Sequence, residues 1–237
     1  MSVGFRTDPG AAKKTNEDSL HVDETLGLFI VADGMGGHNA GEIASHMAVQ
    51  EIAAYLRKGL KSKKNLTAVI QEAVAEANRA IFFTAAADPW WNEMGTTVVM
   101  ALFHGRNVFI SHIGDSRAYM VKNLAIRQLT QDHTFVAEWI REGLITPEKA
   151  RTHEARHGLT MALGIEEEIE PEITELAWNG EGSLLLCSDG LTEALEDSEI
   201  LDIVSTAATP QEACDALVKT ANEKGGPDNI SVILIRG

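Results

Sequence analysis

The feature that most constrains this chain is the run Leu28-Phe29-Ile30-Val31-Ala32, which stops at Asp33 and dissolves into Gly34-Met35-Gly36-Gly37-His38. Consecutive apolar residues closed by turn formers predict a buried strand with Asp33 at its end. A carboxylate there, beside backbone carbonyls whose dihedrals glycine leaves free, offers oxygen ligands to a hard cation. One Asp-Gly pair alone reads first as an ordinary turn. Recurrence changes that balance. The same figure returns at 184–190, where an apolar run closes on Asp189-Gly190, and at 108–116, which closes on Gly114-Asp115-Ser116. It appears inverted at Gly225-Gly226-Pro227-Asp228-Asn229, ahead of the apolar run 230–235. Carboxylates gathered at one end of a packed sheet repel one another unless cations sit between them.

The formal net charge of −15 argues against nonspecific binding to nucleic acid or to an anionic membrane. It would also push away an anionic substrate, unless bound divalent cations reverse the sign locally. No apolar run reaches the length of a membrane span, and the start Met1-Ser2-Val3-Gly4-Phe5-Arg6 lacks the apolar core of a signal peptide. The expectation is a cytoplasmic monomer. No Pro-, Ser- or charge-rich linker divides the 237 residues, so one domain over 1–237 is expected. The two cysteines, Cys187 and Cys214, suit neither a disulfide framework nor a zinc site, and Cys187 reads as a core residue.

Taken in order, short strands are expected at 3–7 and 19–22, then the strand ending at Asp33. The connection at 23–27 is too short for a parallel crossover, so the last two pair antiparallel and bring Asn16-Glu17-Asp18 near Asp33. Apolar residues at helical spacing over 43–56 and 66–81 predict two amphipathic helices, the second capped by Asn65. Trp90 and Trp91 read as packing residues. Strands at 96–103, 107–113, 118–121 and 126–129 are joined by tight turns, which reads as an antiparallel meander. They are apolar on nearly every residue, as strands covered on both faces are. The expected class is therefore α+β: two antiparallel sheets face to face with helices outside, a four-layer αββα sandwich. Residues 131–164 are polar, with helical pieces at 135–141 and 147–151, and read as an excursion reaching over a site. Strands at 173–176 and 183–187, three helices and a terminal strand complete the chain.

Asp33, Asp189 and Asp228 supply carboxylate oxygen with little nitrogen or sulfur, a donor set that selects magnesium or manganese. Two such ions about 4 Å apart hold a bridging water, lower its pKa and clamp phosphoryl oxygens during in-line attack. No catalytic Ser or Cys motif and no phosphate-cradling loop competes.

The ordered motifs TDPG…NED, VADGMGGHNAGEIAS, MGTTVV, IGDSRAY, LTQDHTFV…EGLIT, LCSDGL and GPDNISVI resemble, nearly end to end, the metal-dependent type-2C protein phosphatases in their compact bacterial form. The resemblance implies hydrolysis of phosphoserine and phosphothreonine in proteins by water or hydroxide bridging two Mn or Mg ions, in opposition to a Ser/Thr kinase. Carried over by position, Asp33 bridges both core metals, the Gly34 carbonyl ligates one of them, and Asp189 and Asp228 complete the other. Asp115, with Asp189, resembles the pair holding a weaker third ion; its other reading is a cap on the turn before Arg117. Glu17 and Asp18 act through water and hydrogen bonds, though a Glu-Asp pair is also an ordinary exposed turn. Asn229 supports Asp228, and Arg117 reads as a structural ion-pair partner. Residues 131–164 correspond to the family's flap.

Three positions depart from the family pattern. Lys13 stands where an arginine usually grips the phosphate, offering a point charge in place of a two-pronged donor; an exposed lysine without a role, or Lys14 in its stead, remains open. Met35 replaces a histidine proposed as general acid in many relatives. His38 is then the nearest histidine, and also a candidate for substrate contact. Met161 replaces the usual basic residue at the end of the flap. A catalytically weak regulator that binds phosphoproteins, and a hydrolase of small phosphoesters, are the alternatives.

Overall fold

The computed structural model describes residues 1–37, 40–61, 65–91 and 93–237. Strands β1 (Ser2–Asp8), β2 (Asp18–Asp23) and β3 (Leu28–Met35) precede helices α1 (Ala40–Gly59) and α2 (Leu66–Ala87). A β-rich stretch follows: β4 (Gly95–Thr96), β5 (Val98–His104), β6 (Asn107–Ile113), β7 (Arg117–Lys122) and β8 (Ala125–Gln128). Helices α3 (Phe135–Arg141) and α4 (Pro147–Arg151) lead to β9 (Glu172–Ala177) and β10 (Ser183–Cys187). The chain closes with α5 (Asp189–Ala194), α6 (Asp197–Thr206), α7 (Pro210–Glu223) and β11 (Ile230–Arg236).

One sheet has the order β1-β11-β10-β7-β8 and the other β2-β3-β5-β6-β9, with every pairing antiparallel and β4 added to β3. Alternation along β3 explains its continuous apolar run. Leu28, Ile30 and Ala32 pack into the layer beneath α1 and α2, while Phe29 and Val31 face the other sheet against Leu184, Leu186, Ile233 and Ile235. On the far side Leu185, Cys187, Val232 and Leu234 pack against α5, α6 and α7 through Leu191, Ile200 and Leu217. Both faces of the central strands of both sheets are thus covered, while the edge strands β1, β8 and β9 stay partly exposed, giving the four-layer αββα sandwich. Each large side chain fully buried between layers contributes about 2 kcal/mol.

The expected helix cap is present: the Asn65 side chain accepts from the Thr67 N–H at 3.1 Å. Three local expectations are corrected. The run 96–103 is broken at Thr97, because the Thr97 N–H turns aside to donate to the Asp33 carbonyl at 2.8 Å. The meander ends at β6: Gly114-Asp115-Ser116 is a crossover from one sheet to the other, since β6 pairs with β5 and β9 whereas β7 pairs with β10 and β8. Gly114 makes it possible, with φ at 95° and no room for a Cβ against Thr97. Trp90 is 69% exposed, so it is no core residue; Trp91 alone packs on the helical layer.

Candidate metal centre

Antiparallel register sends the chemistry to one edge. Asp18 at the start of β2 pairs directly with Asp33 near the end of β3. Cys187, two residues before Asp189, pairs with Val232, four residues after Asp228, and also with Arg117, two residues after Asp115. Four strand ends and the inter-sheet crossover therefore converge on a single mouth. A cavity of about 340 Å³ opens there. Glu17, Asp33, Asp115, Asp189 and Asp228 line it, together with Lys13, the Gly34 backbone, Thr97 and His157. The sequence-predicted site residues are thus brought together, apart from His38, which lies outside the described residues, and Asp18 and Asn229, which sit behind the lining.

The backbone around Asp33 is held from three sides. Its N–H donates to Thr97 Oγ1 at 3.1 Å, and its carbonyl accepts from the Thr97 N–H and from Thr96 Oγ1, each at 2.8 Å. Gly34 donates its N–H to the Glu17 carbonyl at 3.2 Å, and a Cβ on Gly34 would overlap the Gly41 carbonyl at the start of α1. Close approach of α1 to β3 thus requires that glycine. Asn229, 4% exposed, lies behind the lining on the opposite side. Its Oδ1 accepts from the Glu17 N–H at 2.8 Å, while its Nδ2 donates to the Pro9 and Thr15 carbonyls at 2.8 and 2.9 Å. Asn229 therefore fastens the loop that carries Lys13 and Glu17, and its own N–H donates to Asp228 Oδ1 at 2.8 Å. Ser188 Oγ donates to Asp18 Oδ2 at 2.8 Å and accepts from the Ser231 N–H at 2.9 Å, tying β2, β10 and β11 together beneath the site.

The electrostatics are those of a cluster short of positive charge. Burial, then the neighbouring carboxylates Asp18, Asp189 and Asp115, hold the Asp33 carboxyl well above the usual range, and burial likewise raises Asp189. Burial and the Asp189 charge do the same to Asp115. Burial raises Asp18 to about 7 against the opposing hydrogen bonds from Ser231 and Ser188, and burial together with Asp189 and Asp228 raises Glu193 to about 7. One oxygen each of Asp18 and Asp189 is buried without a hydrogen-bond partner. Lys13 Nζ lies 2.8 Å from Asp228 Oδ1, the one ion pair formed by a lining carboxylate among the described residues. Buried, unpartnered carboxylate oxygens beside a backbone carbonyl are the donors that hard divalent cations take, so the residues present fit magnesium or manganese.

A pH prediction follows. A carboxyl whose folded pKa lies above its unfolded value binds more protons folded than unfolded between the two values, so stability falls as pH rises through that window. Protein stripped with a chelator is expected to lose at least about 1 kcal/mol of unfolding free energy between pH 4.5 and 7.5. Excess manganese is expected to flatten that slope. Urea titrations at both pH values, with and without metal, measure it; a stripped protein as stable at the higher pH would contradict the assignment.

Two residues that sequence reasoning missed reach the site. Glu193 lies one helical turn beyond Asp189 on α5, a spacing of four that was available to be read. His157 comes from the stretch after α4, and its Nδ1 sits 2.6 Å from Glu193 Oε1, with His157, Asp189 and Glu193 forming one compact group. Nothing in the sequence around His157 marks it.

A family model described as Protein phosphatase 2C matches residues 11–229. The serine/threonine phosphatase stp of Listeria innocua is 38% identical over 240 residues, covering 99% of this chain and 95% of its own. The serine/threonine protein phosphatase PstP of Mycobacterium tuberculosis is 37% identical over 234 residues, covering 99% of this chain and 44% of its own. Among solved structures, the catalytic domain of a serine threonine protein phosphatase PstP in complex with 2 manganese ions matches with a TM-score of 0.87 and 36% identity, covering 98% of this chain and 96% of that one. Stp1 from Staphylococcus aureus matches with a TM-score of 0.91 and 33% identity, covering 99% and 96%.

Proposed function

The chain belongs to the protein phosphatase 2C family, and from that premise we propose that it hydrolyses phosphoserine and phosphothreonine in proteins, with two divalent cations held by Asp33, the Gly34 carbonyl, Asp189 and Asp228. The observation that carries this reading is the convergence of five lining carboxylates on one cavity, with buried oxygens left unpartnered. When bound, manganese or magnesium supplies Lewis acidity toward phosphoryl oxygens and lowers the pKa of a coordinated water.

The protein's own residues do the positioning. Asp33 and Asp189 line the same mouth and repel each other there, and they would hold divalent cations whose positive charge would offset that repulsion. Asp115 on the crossover extends the acidic wall toward a third, weaker ion position. Glu17 lines the mouth and Asp18 stands behind it, fixed by Ser188, and both act through water and hydrogen bonds. Lys13, half-exposed and paired with Asp228, is the lining group with a full positive charge and is assigned to the phosphate. Residues 131–164 act as the flap of a single phosphatase domain over 1–237. The protein works as a cytoplasmic monomer against a Ser/Thr kinase.

Lysine grips a phosphate as a point charge where arginine makes two parallel hydrogen bonds. Lys13→Arg is therefore expected to lower KM for p-nitrophenyl phosphate by about threefold with kcat nearly unchanged. An unchanged or higher KM would remove Lys13 from the phosphate site.

The function as a whole is tested by manganese-dependent release of phosphate from a phosphothreonine peptide, with Asp189→Ala as control. Metal-dependent turnover by the parent protein and none by the variant is expected. Tight binding of the peptide without turnover would make the protein a phosphoprotein-binding regulator, and turnover of p-nitrophenyl phosphate alone would make it a hydrolase of small phosphoesters.

A further inference from the structure

A second cavity, of about 480 Å³, opens beside the metal centre and shares Met35, Gly36, His157 and Leu159 with it. Leu159, Met161, Ile165 and Ile169 give part of its lining an apolar surface, beside Thr160 and His157. Glu93 and Glu166 stand on its rim. The acidic wall is built into the fold. Asn78 of α2, fully buried, donates through Nδ2 to the Glu166 and Glu167 carbonyls at 2.9 and 3.0 Å and accepts from the Gly164 N–H at 2.8 Å. That side chain fixes the path of the acidic run from Glu166 to Glu168. Among the described residues, Glu93, Glu166, Glu167 and Glu168 form no side-chain ion pair. The groove thus offers apolar area and unneutralised carboxylates within reach of whatever chain places its phosphate at the metal centre.

We propose that this groove seats the residues flanking the phosphorylated side chain of a protein substrate, taking an aliphatic residue against Met161 and Ile165 and a lysine or arginine between Glu93 and Glu166. The assignment rests on the phosphatase reading and adds a sequence preference to it. Charge complementarity selects the occupant. An acidic flank meets like charge on the rim and in the −15 field of the whole molecule, whereas a basic flank is attracted by both. Met161 makes the apolar contact possible, because a cation at that position would neutralise the carboxylates and repel a basic flank.

The test compares phosphothreonine peptides with alanine at every flanking position against peptides carrying leucine and arginine within three residues on either side, and against the same peptides with glutamate replacing arginine. In manganese at low salt, kcat/KM is expected to be about tenfold higher for the Leu/Arg peptide than for the Leu/Glu peptide on one side of the phosphothreonine. The ratio is expected to shrink toward unity as salt is raised, since exposed charge pairs are screened. Reversal of both rim charges, E93K with E166K, is expected to abolish or invert the preference while leaving p-nitrophenyl phosphate turnover unchanged. Met161→Arg is expected to reduce it alone. Equal kcat/KM for all peptides in the parent protein, or a preference that survives rim reversal, would overturn the proposal even though phosphate is released. Absence of all turnover, of peptides and of p-nitrophenyl phosphate alike, would instead remove the phosphatase reading and the proposal with it. The salt series on the parent protein decides the question without any variant.

Discussion

Asp33→Asn is expected to lower kcat toward a phosphothreonine peptide by about a thousandfold, the scale on which losing one preorganised electrostatic partner acts in a water-poor site. The same substitution is expected to stabilise the metal-free protein by about 1–3 kcal/mol, because the neutral amide avoids the cost of keeping a carboxyl protonated at a pH where the unfolded chain ionises it. Asp33 is held protonated by burial and by Asp18, Asp189 and Asp115, so the metal-free fold carries it at a cost. In excess manganese the order reverses, since binding to the folded state alone adds stability that the variant forfeits. Parallel thermal melts with chelator and with manganese, set beside peptide turnover, measure both halves. A variant less stable than the parent in both conditions would mean that Asp33 serves packing rather than cation binding.

Arg117→Met is the second large effect, and it falls on stability. The Arg117 guanidinium grips Asp132 through Nε at 2.9 and 3.1 Å and through Nη2 at 2.6 Å, and donates from Nη1 to Tyr119 Oη at 2.9 Å. Asp132 lies at the root of the 131–164 stretch, next to His133, whose N–H donates to the Gly114 carbonyl at 3.0 Å. Removing the cation leaves a largely buried carboxylate without its partner, which costs about 3–5 kcal/mol. Because the ion pair anchors β7 to the start of the flap and neither Arg117 nor Asp132 lines the metal cavity, turnover of p-nitrophenyl phosphate below the melting temperature is expected to fall less than tenfold. The double replacement Arg117→Met with Asp132→Leu is expected to recover part of the lost stability, since removing both charges leaves none unpaired. Failure to recover any would place the role of Arg117 outside that pair.

Much of this architecture could be read before the coordinates because its signals are local. The apolar runs before Asp33 and Asp189 became β3 and β10, with Asp33 two residues inside the end of β3 and Asp189 past β10 as the first residue of α5, and the helical stripes over 43–56 and 66–81 became α1 and α2. Pairing of β2 with β3 was forced by the four-residue connection, and it set Asp18 opposite Asp33. What could not be read depends on long-range placement. A three-residue turn at Gly114-Asp115-Ser116 looks the same in sequence whether it closes a hairpin or carries the chain between sheets, and only the partners of β6 and β7 distinguish the two. The fastening of Pro9, Thr15 and Glu17 by Asn229 spans more than two hundred residues. Arrival of His157 beside Glu193 depends on how the flap folds back, for which no periodicity exists. Trp90 was misplaced because aromatic composition alone suggests burial, while its position in a short turn after α2 leaves it in solvent.

The central claim is that the carboxylates at the mouth of the sandwich exist to hold divalent cations. A crystal structure of the protein grown in excess manganese, with anomalous scattering recorded at the manganese edge, tests it most directly. The account predicts two strong anomalous peaks within ligand distance of Asp33, Asp189 and Asp228, with one of them also at the Gly34 carbonyl, and a weaker third at Asp115. A mouth without anomalous density would contradict it.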